Sequence, residues 1–251
     1  ANDALVEPAR APVKIADFLR LTGGDICSDS ERGASCLVER VPFEAYVAQL
    51  NLLRLPQLLS SICLSRALPP EHLTVANLWI GGALMKNGLH FDLYDNLLFQ
   101  LRGTKRALLF PPEDAQHLYY GPAKIRRHEF DAEQGRISNH TSFDKVRHNV
   151  AKINVFAGDV ATTHPKVATA SPMVCELNAG DALFLPRGWH HAVISSSQEL
   201  HRNLAVNLWY DTSAATAGAR FSSLSEMFQG SGCGDGGMST TEAQPAVKQE
   251  L

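Results

Sequence analysis

The chain has 251 residues, with 23 lysines and arginines against 26 aspartates and glutamates, and a formal net charge of −3. Hydrophobic residues make up 45% of it and charged residues 20%, which is the composition of an ordinary globular protein and excludes a wholly disordered chain. No apolar run approaches the roughly 20 residues that a membrane-spanning helix needs, and the slight negative charge disfavours a protein that coats nucleic acid.

The cysteines and the beginning of the chain bear on its compartment. Five cysteines are widely spaced, and none forms a C-x-x-C pair, which disfavours a disulfide scaffold or a zinc ribbon. A secretory signal has a basic segment followed by an apolar one. Residues 1–12 do not show this pattern. We therefore expect a cytoplasmic or nuclear protein with reduced thiols and no membrane partner.

Residues 1–70 are predicted to be a mostly helical part that packs on the rest of the protein. One helix is predicted over residues 42–53, because Phe43, Tyr46, Val47 and Leu50 recur at helical spacing. A second is predicted to open at Pro56 and to end before residues 69–70, both proline.

The pattern changes to short strands in the middle of the chain. Residues 73–80 are rich in β-formers and end at a Gly-Gly pair. Two apolar runs, 97–101 and 106–110, flank the turn residues 102–105 and predict a hairpin. A short helix is predicted over residues 113–118. The polar stretch 121–149 is predicted to be a long surface segment that carries partner contacts. Its basic cluster is predicted to be a solvated face and consists of Lys124, Arg126, Arg127 and His128.

Four further strands are predicted after residue 173, at 174–177, 182–185, 191–196 and 203–210. Closely spaced short strands favour a β-barrel or sandwich over alternating βαβ units. Helix is predicted over 212–228 and a flexible tail over 230–251. The predicted division is a helical part (1–70), a barrel (71–212), a C-terminal helix (213–229) and the tail (230–251).

A metal site is suggested by the triplet His90-Phe91-Asp92. Alternate residues of a strand share a face, so His90 and Asp92 can reach one ion. A second histidine would complete a two-His, one-carboxylate triad of the kind that binds non-haem Fe(II). The candidates are His190 and His191, which are adjacent in a strand and so face opposite ways. Only one is expected to be a ligand, and if it is His191, His190 lies away from the metal or is turned toward solvent.

Two other polar residues belong to predicted strands. Lys105 opens the strand after the turn, and one lysine inside a barrel can bind the far carboxylate of a dicarboxylate. Asn207 shares a face with Asn203, Ala205 and Trp209 by the period of two. Because a buried amide needs partners, an inward Asn207 implies a ligand or an ordered water.

The order of these motifs resembles a known family. The chain has G-x(8)-H-x-D, then Q-L-x-G-x-K-R-x-x-L-F-P-P, then G-D-A-L-F-L-P-x-x-W-x-H and V-N-L-W-Y. This order, across residues 73–210, is similar to the JmjC oxygenases, and most of all to the small hydroxylases that include the factor-inhibiting-HIF asparaginyl hydroxylase and the tRNA wybutosine hydroxylase. The resemblance implies a mainly β fold, the double-stranded β-helix (jelly-roll or cupin), with flanking N-terminal and C-terminal helices.

The resemblance also implies a site. His90, Asp92 and His191 correspond to the iron ligands, because the family's second histidine lies five residues after the proline of the L-F-x-P turn. Lys105 corresponds to the lysine that pairs with the far carboxylate of 2-oxoglutarate. Asn96 and Asn207 correspond to asparagines that line that pocket, and Asn87 stands where threonine or serine is common. Fe(II), 2-oxoglutarate and O2 are the implied cofactor and cosubstrates.

The implied reaction is hydroxylation of a protein side chain, with succinate and CO2 released. Demethylation of N-methyl-lysine and hydroxylation of a tRNA base use the same chemistry, and the net charge disfavours the nucleic acid. A metal-binding cupin without turnover, or a cupin that isomerises or hydrolyses with another divalent metal, stays open. Small hydroxylases of this type pair through terminal helices, so residues 212–228 could serve a homodimer.

Overall fold

A computed structural model describes residues 4–10, 46–60, 72–82, 84–131, 136–142, 146–197 and 202–211. Most of these residues lie in strands. In chain order the strands are β1 (Ala4–Arg10), β2 (Tyr46–Asn51), β3 (Leu73–Gly81), β4 (Leu84–Phe91), β5 (Asp95–Arg102), β6 (Thr104–Phe110), β7 (Ala123–Asp131), β8 (Arg136–Ser142), β9 (Val146–Arg147), β10 (Met173–Leu177), β11 (Ala182–Leu185), β12 (His190–Ser196) and β13 (Asn203–Tyr210).

The helices among these residues are short. The α-helices are α1 (Pro56–Ser60) and α2 (Val160–Thr163), and the 3-10 helices are Leu52–Arg54, Pro112–His117 and Pro165–Thr169. The helix predicted over 113–118 is present as the second of these 3-10 helices. No helix among the described residues is long and apolar enough to cross a membrane.

Two antiparallel sheets form the centre of the fold. One has the strand order β10-β6-β12-β4, and the other has the order β11-β5-β13-β3-β2. Their inner faces share a buried apolar cluster that includes Leu98 of β5 and Ala205 of β13 from one sheet, and Leu109 of β6 and Val193 of β12 from the other. The two sheets pack face to face, and strands β3 to β6 and β10 to β13 alternate between them along the chain, which is the jelly-roll arrangement. The predicted mainly β, cupin-type fold is confirmed.

The outer faces of the two sheets carry their own apolar clusters. Leu78 and Val206 of one sheet pack against Leu52, which follows β2. Leu89 and Ala192 of the other sheet pack with Leu118 and neighbouring loop residues. Strands of both central sheets therefore bury residues on both faces. The space between the sheets, called the lumen here, also receives polar side chains.

The predicted hairpin between residues 97–101 and 106–110 is wrong in its pairing. Both strands exist, but β5 pairs with β11 and β13, whereas β6 pairs with β10 and β12. The turn at Gly103 carries the chain from one sheet to the other. Local turn signals mark where a strand ends, and they do not specify its partners.

The predicted helix over residues 42–53 is also wrong where the structure describes it. Residues Tyr46–Asn51 are strand β2, which pairs with β3. Val47 lies opposite Ile80 and Leu50 opposite Leu78, so three steps along β2 match two steps along β3. This irregularity places residues three apart on one face, which reproduces the spacing of a helix.

Other predicted segments have mixed outcomes. The strands predicted over 73–80, 174–177, 182–185, 191–196 and 203–210 are confirmed. The segment 121–149 contains strands β7 to β9, which form a separate sheet in which β7 pairs with β1 in parallel. The helix predicted over 212–228, the tail and most of the predicted N-terminal helical part lie outside the described residues. The division into four parts stays a prediction.

Gly103 provides a test of the crossover between sheets. Its φ is +75°, and an added Cβ would lie 2.6 Å from the Ser196 carbonyl oxygen and 2.7 Å from Asn203 Nδ2. Gly180 also has a positive φ, +99°, but has nothing within 4 Å of an added Cβ. Backbone strain at either site is worth roughly 1–3 kcal/mol, and only Gly103 adds a clash of about 1–3 kcal/mol.

We therefore expect Gly103→Ala to lower the free energy of unfolding more than Gly180→Ala, by at least about 1 kcal/mol. Urea unfolding monitored by tryptophan fluorescence measures both. Equal losses in the two variants would contradict the packing of the turn against Asn203.

Candidate metal centre and its pocket

A local irregularity in β4 brings the predicted metal ligands together. His191 lies opposite His90, and Val193 lies opposite Asn87, so two residues of β4 face the single residue Ala192 of β12. A bulge of this kind re-aims the side chains that follow it. As a result one ligand atom from each of His90, Asp92 and His191 lies within 4.8 Å of the other two.

The hydrogen bonds of both histidines leave the same ring nitrogen free. His90 Nδ1 donates to the Gly88 carbonyl oxygen at 2.8 Å, and His191 Nδ1 donates to the Trp189 carbonyl oxygen at 3.1 Å. A carbonyl only accepts, so each ring carries its proton on Nδ1 and keeps the Nε2 lone pair for a metal. His191 Nε2 lies 3.8 Å from Asp92 Oδ2.

Burial favours the neutral imidazole of His191. Burial, followed by the charge of His90, lowers the pKa of His191 to about 3. Burial raises the pKa of Asp92, and His90 acts against that rise. Two imidazole nitrogens and one carboxylate oxygen form a donor set that suits Fe(II) and other divalent first-row metals. The residues present therefore fit the metal that the sequence implies.

His190 lies on the opposite side of β12 from His191. It is buried at 3% exposure, with its Nδ1 3.0 Å from the Tyr120 hydroxyl and its ring edge-on to Phe91. The prediction placed it away from the metal or turned toward solvent. His190 lies outside the cluster of candidate ligands, as predicted. It does not face solvent, because Tyr120 covers its ring.

Lys105 is buried at 8% exposure and faces the lumen. Its Nζ donates to Ser195 Oγ at 2.6 Å and to Asn203 Oδ1 at 2.9 Å. Burial lowers the pKa of Lys105 to about 8. His191 and Ser195 share one face of β12 four residues apart, so the metal ligands and Lys105 occupy one lumen at levels roughly 13 Å apart along the strand.

Asn96 and Asn207 satisfy each other inside the barrel. Asn207 Nδ2 donates to Asn96 Oδ1 at 3.0 Å, and Asn207 Oδ1 accepts from Trp79 Nε1 at 2.6 Å. Both amides are buried. Protein groups supply these partners, so an inward Asn207 does not by itself require a ligand or water, and the assignment of Asn96 and Asn207 to the cosubstrate pocket stays a prediction.

Asn87 lies in a cleft with Lys105. The cleft is partly open to solvent, and it is lined by Tyr46, Trp79, Gly81, Met85, Asn87, Lys105, Ser195 and Asn203. The Tyr46 hydroxyl donates to Asn87 Oδ1 at 3.4 Å, and the Tyr46 ring stacks on Trp79. This cleft is the candidate cosubstrate pocket.

Three residues of this cleft that hydrogen-bond Lys105 or Asn87 were not predicted as site residues: Tyr46, Ser195 and Asn203. Tyr46 was assigned to a helix. Asn203 shares the period-two face of β13 with Asn207, so the same pattern could have found it. Ser195 is four residues after His191 on one strand face, and the same alternation would have placed it in the lumen.

The cluster of His90, Asp92 and His191 predicts that a divalent metal stabilises the folded protein. Mn(II) at 100 times its dissociation constant is expected to raise the free energy of unfolding by about 2.7 kcal/mol. His191→Ala and Asp92→Ala should abolish that gain, because each removes one of three ligands. Thermal unfolding with and without Mn(II) measures it.

His190→Ala is the matched control for His191→Ala. It should keep the stabilisation by Mn(II) and lower the metal-free stability by roughly 1–3 kcal/mol, because the Tyr120 hydroxyl loses a partner. Loss of the Mn(II) effect in His190→Ala with retention in His191→Ala would exclude the assignment of the ligands.

The buried Lys105 predicts a pH dependence of stability. Its pKa of about 8 lies below that of an unfolded chain, so the unfolded state holds more protons between about pH 8 and 10.5. Stability without ligand should therefore rise with pH in that window, relative to Lys105→Met, by about 3 kcal/mol at most.

Urea unfolding at pH 7.5 and pH 10 tests this, with Arg106→Met as the control. Arg106 is the next residue, its side chain is 64% exposed, and it faces away from the lumen toward Glu176. If the free energy of unfolding changes with pH equally in wild type and Lys105→Met, Lys105 is not buried as a cation.

Comparison with known families completes the description of the site. The family model described as "Cupin-like domain" matches residues 2–216. The chain is 29% identical over 179 residues to lysine-specific demethylase JMJ31 of Arabidopsis thaliana, a match that covers 68% of this chain and 28% of that protein. It is 30% identical over 161 residues to the human bifunctional peptidase and (3S)-lysyl hydroxylase JMJD7, covering 62% and 48% respectively.

A third relative is human tRNA wybutosine-synthesizing protein 5, which is 35% identical over 106 residues, covering 42% of this chain and 25% of that protein. The chain thus spans between about a quarter and a half of the length of these relatives. The resemblance to the JmjC oxygenases drawn from the motifs is confirmed.

Proposed function

This chain belongs to the Cupin-like domain family, and on that premise we propose that it is an Fe(II)- and 2-oxoglutarate-dependent dioxygenase that hydroxylates a protein side chain. The observation that carries the proposal is the cluster of His90, Asp92 and His191 in the same lumen as the buried cation of Lys105. A metal site alone fits many cupins, whereas a lysine held in the lumen suits a dicarboxylate cosubstrate.

In this proposal His90 and His191 bind the metal through Nε2 and Asp92 binds through one carboxylate oxygen. When bound, Fe(II) with 2-oxoglutarate and O2 supplies the oxidising chemistry, in which the 2-oxo acid loses CO2 to give succinate and one oxygen atom enters a substrate C–H bond. The Nδ1 hydrogen bonds to Gly88 and Trp189 hold the two rings in one tautomer and one orientation.

Lys105 orients the cosubstrate. Its ammonium pairs with the carboxylate far from the metal, so the 2-oxo acid end lies toward the triad. The apolar walls contributed by Leu98, Leu109 and Val193 exclude water and strengthen this ion pair, since charges attract more strongly in a medium of low polarity. Asn96 and Asn207 hydrogen-bond each other within the barrel, and this bond holds the wall of the lumen in place.

The protein substrate is supported by two relatives, whose names describe action on lysine. A third relative acts in tRNA modification by its name, so a tRNA base is the alternative substrate class. We take lysine-bearing peptides as the first substrates to test, and the segment 121–149 as the region that contacts them.

Turnover without substrate tests the oxygenase proposal. Wild type with Fe(II), ascorbate and 2-oxoglutarate labelled at C1 should release labelled CO2 slowly, and succinate in equal amount. Asp92→Ala should abolish release. Lys105→Met should raise the concentration of 2-oxoglutarate needed for half-maximal release by at least about tenfold.

Arg106→Met is the control for Lys105→Met, because it removes an exposed cation one residue away. It should leave the release of CO2 unchanged. If folded, iron-loaded wild type releases neither CO2 nor succinate, the protein is a cupin without this activity, and the proposal fails.

The product then separates the reaction classes. With lysine peptides, a gain of one oxygen atom on the peptide indicates hydroxylation, whereas formaldehyde with loss of a methyl group from N-methyl-lysine indicates demethylation. Oxygen gained by tRNA and not by peptide would overturn the proposed substrate class and leave the chemistry standing.

A further inference from the structure

Asn203 makes more buried hydrogen bonds than the proposed reaction requires of it. Its side chain is 2% exposed. Nδ2 donates to the Thr104 carbonyl at 2.8 Å and to the Ser196 carbonyl at 2.9 Å. Oδ1 accepts from Lys105 Nζ at 2.9 Å and from Gln100 Nε2 at 3.2 Å. Two donors and two acceptor sites are the full capacity of an amide.

These bonds fix the amide in one orientation. Both Nδ2 donors end on main-chain carbonyls, one at the start of β6 and one at the end of β12, so Oδ1 has to point at Lys105. The turn at Gly103 leaves no room for adjustment, since an added Cβ there would lie 2.7 Å from Asn203 Nδ2. The first residue of β13 therefore joins the ends of the two sheets.

The groups around Lys105 hold its ammonium and do not neutralise it. Ser195 Oγ and Asn203 Oδ1 are uncharged acceptors, and together they use two of the three N–H donors of Nζ. Among the described residues that line the cleft there is no carboxylate, and Tyr46 is the other titratable group. One donor and one positive charge thus remain for an anion in the cleft.

We propose that Asn203 is a positioning residue for the cosubstrate, which acts by fixing Lys105 Nζ where the far carboxylate of 2-oxoglutarate binds. This inference rests on the proposed function, because it takes the dicarboxylate as the ligand of Lys105. The Asn203 amide thus does more than join strands. An aspartate at this position would neutralise Lys105, and an apolar residue would leave the Lys105 ammonium without this acceptor.

The test compares two acids on the Mn(II)-loaded protein by calorimetric titration. One is 2-oxoglutarate, and the other is 2-oxopentanoate, which has the same chain without the far carboxylate. Asn203→Ala should weaken 2-oxoglutarate at least about tenfold, because a hydrogen bond to a charged group is lost. It should change the affinity for 2-oxopentanoate no more than about twofold, because a methyl group replaces the carboxylate that pairs with Lys105.

Three further variants make the test specific. Lys105→Met should weaken 2-oxoglutarate alone, and Lys105→Met with Asn203→Ala should be no weaker than Lys105→Met, since the amide acts through the lysine. Ser196→Ala removes a neighbouring hydroxyl that bonds Thr104 and should change neither acid. If Asn203→Ala does not fold, Ser195→Ala removes the other acceptor of Lys105 and should show the same selectivity.

The outcomes separate the two proposals. Equal weakening of both acids in Asn203→Ala would show a purely structural role and overturn the inference. Unchanged affinity for 2-oxoglutarate in Asn203→Ala, with a loss in Lys105→Met, would overturn the inference and keep the proposed function. If wild type binds neither acid with Mn(II) present, the proposed function fails and the inference fails with it.

Discussion

The mismatch of one residue between β4 and β12 decides which side chains enter the lumen. Before it, Asn87 faces inward opposite Val193, and after it His90 faces inward opposite His191. Regular pairing would turn His90 to the outer face, because side chains alternate along a strand. The bulge also supplies the Gly88 carbonyl that holds the His90 ring. The metal ligands, their tautomers and their spacing therefore depend on one local feature of the backbone.

The lumen combines an apolar wall with a few polar groups whose partners are mostly built in. Asn96, Asn207 and Trp79 satisfy one another, and Asn203 uses its full hydrogen-bonding capacity. In an apolar surrounding a polar group without a partner is costly, so these bonds fix the wall. What remains is a positive charge at one level and three metal-ligand atoms at another. In the proposed function, this separation gives the dicarboxylate a single orientation.

The sequence predicted the strands and the metal ligands because both depend on local patterns. Alternation and turn residues placed β3 and β10 to β13, and the spacing of His90 and Asp92 placed two ligands. The hairpin prediction failed because the turn at Gly103 separates strands that join different sheets. The helix over residues 42–53 failed because a strand irregularity imitates helical spacing.

The partners of the polar side chains were beyond local reasoning. The Asn207 amide bonds Trp79, 128 residues away in the chain, and His190 is covered by Tyr120, 70 residues away. Such contacts follow from the register of whole sheets. The grouping of His90, Asp92 and His191 and the inward position of Lys105 were therefore predictable from the sequence, and the network that holds the lysine in place was not.

We propose that the triad and Lys105 bind one metal and one 2-oxo dicarboxylate together. The most direct measurement is an anaerobic titration of the Fe(II)-loaded protein with 2-oxoglutarate, followed by visible absorption. We expect a charge-transfer band that saturates at one equivalent of 2-oxoglutarate per chain and does not form in Asp92→Ala. A folded, iron-loaded wild type that shows no such band at saturating 2-oxoglutarate would contradict it.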